Sequence, residues 1–158
     1  MKIAVGSDHA GFELKGAIIS HLKQNGYEVI DHGTFTPDPI DYPQICASVA
    51  RTIRDGGCDF GVVLGGSGQG EQLAANKVIG ARAALCPDEF TARLARAHNN
   101  ANIISMGARI VAEEYAIAIL EVFLNTPFEG GRHEARLAKL HQIEVDEART
   151  FVGGDGGA

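Results

Sequence analysis

The chain is poor in the residues that would crosslink it. Cys46, Cys58 and Cys86 stand far apart, odd in number and without a CxxC pair, which argues against a disulfide scaffold or a thiolate zinc site. Reduced, structural thiols in a cytoplasmic protein are the expectation. No apolar run approaches the roughly 20 residues of a membrane-spanning helix. The opening MKIAVGSDHAG turns polar too early for a secretory leader. Positive charge is also in deficit: 14 Lys and Arg face 20 Asp and Glu, for a formal net charge of −6. That balance argues against bulk electrostatic binding of nucleic acid. The six histidines form neither HExxH nor another clear metal spacing, so no metal is expected. Repeats and linkers are missing too. A single domain over residues 1–150 is expected. Residues 151–158, ending VGGDGGA, have little to bury and are expected to be a disordered tail.

What is present is a regular alternation. KIAVGS (2–7) reads as a short buried strand, and GFELKGAIISHLKQNG places Phe12, Leu14, Ala17, Ile18 and Leu22 near helical spacing with Gly26 as a stop. YEVIDHG is a second strand, TFTPDPIDYP a proline-rich loop, and QICASVARTIRDGG a second helix. FGVVLGG, ARAALC and ANIISMG continue the strands. A short helix over Gln69–Lys77, PDEFTARLARAHNN and AEEYAIAILEVFLN supply the helices between and after them. Five strand–helix units in order predict an α/β protein with a doubly wound parallel sheet and helices on both faces. A trailing helix over about 131–149 follows, able to pack on its own domain or to reach another subunit.

Ligands of such sheets lie at the carboxyl ends of the strands, and two polar loops fall there. In GGSGQGE (65–71), closely spaced glycines let several backbone N–H groups converge on one oxyanion, and the next helix start adds donors. The loop lacks the Gly-Lys-Ser/Thr of a Walker A sequence and the third glycine of GxGxxG. A plain tight turn is the alternative. Glu71 follows at once. Read alone, it is either a first-turn acid that stabilises the helix or a base beside an oxyanion hole, and the helix dipole is expected to keep it ionised. The second loop, GSDHAG, offers Asp8 and His9, either for hydroxyl protons and phosphate or as an N-cap beside a surface histidine. His98, in RAHNNAN, reads alone as a helix-end residue. Arg132 and Arg136, four apart, form either a phosphate clamp or a solvated face paired to Glu134 or Glu129. Arg109 follows the fifth strand.

Together GSDHAGFELK, GGSGQGEQLAANK, AHNNANIISMGAR and RHEARL, in order from about Lys2 to Leu140, resemble ribose-5-phosphate isomerase type B. The resemblance implies a Rossmann-like fold, no metal or organic cofactor, and a homodimer or homotetramer with its active site between subunits. It also implies a sugar-phosphate substrate, aldose–ketose isomerisation through a cis-enediolate, and no nucleic-acid or membrane partner. By the same resemblance Asp8 and His98 serve ring opening, and His9, Tyr42 and Asn99 contact the ligand. Gly66, Gly68, Gln69 and Gly70 belong to the anion hole. Arg109, Arg132 and Arg136 bind phosphate, several of these residues coming from the partner subunit.

One position departs from the commoner family pattern. Ser67 stands where many members carry a cysteine as proton-transfer base, and a serine hydroxyl is too weak an acid for that task. The resemblance is therefore to the actinobacterial-like form, in which a glutamate four residues later does the work, here Glu71. Gln69 replaces a common asparagine. The expected reaction interconverts D-ribose 5-phosphate and D-ribulose 5-phosphate. The alternatives are a four-carbon sugar phosphate, galactose 6-phosphate, or a nucleotide-binding regulatory module.

Overall fold

The structure, a computed structural model, describes residues 1–152. Strands β1 (Lys2–Ser7), β2 (Glu28–Asp31), β3 (Phe60–Gly65), β4 (Ala83–Leu85) and β5 (Ile103–Gly107) form one parallel sheet in the order β2-β1-β3-β5-β4. Between and after them run α1 (Phe12–Gln24), α2 (Tyr42–Arg54), α3 (Gln69–Ala75), α4 (Glu89–Ala97), α5 (Glu113–Asn125) and α6 (Arg132–Val152).

Central strands covered on both faces can be apolar throughout, and β3 is. Its Val62 and Leu64 join Ile3, Val5, Ile104 and residues of α1, α4 and α5 in one core layer. Val63, between them, joins Ala4, Ile103 and residues of α2 and α3 in the other. The period-2 alternation of the strands thus distributes five helices over two faces, as the doubly wound expectation requires.

Several helix boundaries differ from the sequence expectation; α3, for one, ends at Ala75 rather than Lys77. Helix α2 starts at Tyr42, with Pro43 in its first turn, where a missing N–H costs nothing; Tyr42 is therefore held by a helix rather than a loop. Helix α6 continues to Val152, two residues into the expected tail, and residues 153–158 of that tail lie outside the described residues. The three thiols are free and buried.

Helix α6 holds the body at few points. His133 in its first turn stacks on His98, and Glu144 Oε1 accepts from the Gly80 N–H at 3.0 Å. Between α6 and the edge of the sheet lies a cavity of about 650 Å³, lined in part by Ala83, Phe90, Leu94, Leu137 and Leu140.

Candidate active site

The winding reverses between β1 and β3, which are neighbours although β2 lies between them in sequence. Their carboxyl ends border the crevice where ligands of open α/β sheets bind. The loop after β1 is tied to β3 by the Asp8 N–H, which donates to Leu64 O at 3.1 Å. Asp8 Oδ1 accepts from the Gly11 N–H at 3.0 Å, and the residue is nearly buried. His9 is exposed, its Nδ1 accepting from the Ile40 N–H at 3.3 Å.

The glycine loop follows β3. Gly68 is the N-cap of α3 with φ of 78°, a left-handed conformation that favours glycine. Its carbonyl is held by the buried Ser105 hydroxyl, which donates at 2.7 Å. Gly107 lets the main chain of β5 pass against Ser67, for a Cβ there would lie 2.6 Å from the Ser67 carbonyl carbon. Ser67 and Gln69 are exposed and border a small cavity of about 200 Å³. The Tyr42 ring lies against Gly70, and an Arg109 guanidinium nitrogen would be 3.1 Å from a Cβ at Gly66.

Glu71 points under this loop rather than away from it. Its side chain presses on Gly65, where a Cβ would collide with the Glu71 carboxylate. The residue is only 3% exposed. Burial pushes its pKa above the ordinary 4.5, and the Asp8 charge acts in the same direction. The backbone N–H groups of Glu71 and Gly68 act against it. The sequence expectation named only the stabilising helix start; burial outweighs it, because removing a carboxylate from water disfavours its charged form. The buried Cys46 shares this environment. Its thiol is pushed up to about 12, first by burial and then by the charges of Glu71 and Asp8.

The remaining candidates stand at the other end of the sheet. Helix α4 leaves the carboxyl end of β4 and must return to the amino end of β5, so His98 at its C-cap lies beneath the sheet. With nine residues in α4, the helix carries His98 roughly 14 Å from the loops above. There the His98 and His133 rings stack with centroids 4.3 Å apart and planes 12° from parallel. Both Nε2 atoms lie 3.7 Å from Glu129 Oε2. Burial pushes the His133 pKa down, and neighbouring His98, Arg132 and Arg136 push it the same way. Asn99, exposed at the end of α4, lines the large cavity.

The nitrogens of His98 and His133 and the Glu129 carboxylate lie within 4.8 Å of one another, a separation a metal could bridge. Near-parallel rings, however, aim their in-plane lone pairs side by side rather than at one point, and two arginines adjoin them. The cluster suits an anion better than a cation.

The candidate set therefore divides in two. Asp8, His9, Tyr42, Gly66, Ser67, Gly68, Gln69, Gly70, Glu71 and Arg109 gather at the carboxyl ends of the strands; His98, Asn99, Arg132 and Arg136 gather at the opposite end. Arg109, grouped with the other arginines in the sequence, is separated from them within one chain. Sequence reasoning did not single out Cys46, Ser105, Gly107 or His133. Of these only His133, set between two candidate arginines in RHEAR, carried a local signal.

The family model described as Ribose/Galactose Isomerase matches residues 3–140. The chain is 50% identical over 147 residues to the ribose-5-phosphate isomerase B of Mycobacterium leprae, covering 91% of this chain and 90% of that one. Its fold superposes on that of ribose-5-phosphate isomerase B from Clostridium thermocellum with a TM-score of 0.92 at 46% identity, covering 93% and 99% of the two chains. The Mycoplasma genitalium enzyme of the same name, solved with bound ribulose 5-phosphate, gives a TM-score of 0.87 at 41% identity, with 90% and 95% covered.

Proposed function

The chain belongs to the ribose/galactose isomerase family, and from that premise we propose that it interconverts D-ribose 5-phosphate and D-ribulose 5-phosphate with Glu71 as the proton-transfer base. The observation that carries the base assignment is the burial of Glu71 directly beneath the glycine loop. A carboxylate with a pKa above the ordinary range is a stronger base than an exposed glutamate.

The reaction begins with ring opening, assisted by Asp8 and His98. Glu71 then takes the proton from C2 of the open aldose. The C1–C2 double bond forms and the electron pair of the C1 carbonyl moves onto O1. Loop N–H groups from Gly66 to Gly70 stabilise that oxyanion, which is the usual means of lowering an enediolate barrier. Glu71 returns the proton to C1 while O2 becomes the ketone, the O2 proton ending on O1. No net oxidation occurs and the protein ends as it began.

A complete site draws on two copies of the chain. Glu71, Asp8 and the loop come from one subunit; His98, Asn99, Arg132 and Arg136 come from its partner, in a homodimer or an assembly of dimers. What supports this is the separation of the two groups to opposite ends of one sheet. His9 and Arg109 adjoin the loop, Arg132 and Arg136 approach the phosphate from the partner, and Tyr42 lines the pocket beside Gly70. The enzyme class is intramolecular oxidoreductase, and the substrate is a small sugar phosphate.

The test is turnover of ribose 5-phosphate by the purified protein without added metal, beside Glu71→Gln. Wild-type turnover lost by at least about 10²-fold in the variant is expected for removal of a general base. An active Glu71→Gln would remove Glu71 from the mechanism, and an inactive wild type would remove the substrate.

A further inference from the structure

The basic cluster beneath the sheet contains one acid that the reaction above does not use. Glu129 Oε2 stands 3.7 Å from Nε2 of His98 and equally far from Nε2 of His133. At that distance no hydrogen bond is formed, and the side chain is left 58% exposed, paired by charge only while an imidazole is protonated. Its main chain is anchored: the Glu129 N–H donates to Ala97 O at 3.0 Å, at the end of α4. Gly130 and Gly131 follow with φ of 67° and 57°, left-handed values that turn the chain abruptly into α6. The backbone is thus fixed while the side chain reaches over the His98–His133 pair with no bond to hold it.

We propose that Glu129 is the site's own stand-in for phosphate. In the empty protein it stands over the His98–His133 part of an anion seat that Arg132 and Arg136 complete, and it swings out when a phosphate enters. A monoester phosphate carries a charge of about −1.5 to −2 at neutral pH, against −1 for a carboxylate, and offers three acceptor oxygens. It therefore displaces the glutamate, whereas singly charged carboxylates compete with it on equal terms and gain little. Glu129 thereby weakens phosphate binding and biases the seat toward dianions. It also relieves the mutual repulsion of the basic groups while the seat is empty.

The inference rests on the isomerase reading only for the identity of the phosphate's carrier, so inorganic phosphate is the probe. Calorimetric titration of inorganic phosphate would compare the wild type, Glu129→Gln and Glu134→Gln, after matching their circular dichroism and oligomer size. Glu134 is a second acid, near Gly130 rather than over the histidine pair, and controls for loss of charge alone. Glu129→Gln is expected to bind phosphate about three- to fivefold more tightly, the size of one exposed ion-pair contribution. KM for ribose 5-phosphate should fall in parallel, and Glu134→Gln should behave as wild type. Unchanged or weaker phosphate binding in Glu129→Gln would overturn the proposal, as would a fall in kcat with unchanged phosphate affinity, which marks a residue that orients His98. Tighter phosphate binding in a protein that does not turn over ribose 5-phosphate would uphold the role of Glu129 and refute the isomerase reading.

Discussion

Replacing Gly65 by alanine separates the position of Glu71 from its chemistry. Gly65 is the last residue of β3 and is not among the residues with positive φ, so alanine can adopt its backbone without strain. The added methyl would nevertheless occupy space already filled by Oε1 and Cδ of Glu71, with Oε2 only 2.8 Å away. Restoring van der Waals separation requires the carboxylate to move by more than about 1 Å, and at 3% exposure it has little free space to enter. A displacement of that size costs on the order of 10²-fold in rate. Overpacking adds a stability loss of about 1–3 kcal/mol. Steady-state kinetics with ribose 5-phosphate should therefore show the loss in kcat with KM little changed, because the three atoms nearest the added methyl all belong to Glu71 and none to an arginine. Gly16→Ala is the matched control. Gly16 is exposed on α1, with nothing within 4 Å of an added Cβ; that variant should gain about 0.5–1 kcal/mol from reduced chain entropy and keep its rate. A folded Gly65→Ala protein with kcat within about threefold of wild type would refute the placement of the base under the loop, since a carboxylate displaced by about 1 Å cannot retain that rate.

Glu71→Gln should also be more heat-stable than the wild type at neutral pH. Burial holds the Glu71 pKa above 4.5, so the folded protein binds this proton more tightly than the unfolded chain does. The stability that proton contributes is fully present below the unfolded value and is lost as pH rises through the folded one. The Tm gap between variant and wild type should accordingly close as pH falls toward 4.5, and a variant less stable than wild type at pH 7 would contradict it. Division of the site between subunits has its own test. Co-refolding inactive Glu71→Gln with inactive His98→Asn should restore roughly a quarter of wild-type activity, because mixed dimers form half the population and hold one intact site each. No recovery would place both residues in a site made by one chain.

The alternation of apolar segments with amphipathic ones sufficed to read five strands, their helices and a parallel sheet, because local periodicity is imposed by which face each element buries. The chemistry-bearing loops were legible for a related reason. GGSGQGE and GSDHAG follow strands, and in a parallel sheet every strand ends at the same edge. The arrangement of Glu71 was not legible. Its place in the first turn of α3 implies a carboxylate stabilised by backbone N–H groups, but its burial depends on Gly65, Cys46 and Asp8, which three separate elements bring together. Nor does spacing reveal that His98 and Arg132 share one end of the sheet while Glu71 occupies the other. That depends on which strand end each helix returns to. His133 and Glu129 acquire meaning only when α6 docks on the end of α4. Residue order alone determined the elements, the fold class and the residues able to do chemistry. Tertiary packing decided which of them meet, because proximity and desolvation are set by elements distant in sequence.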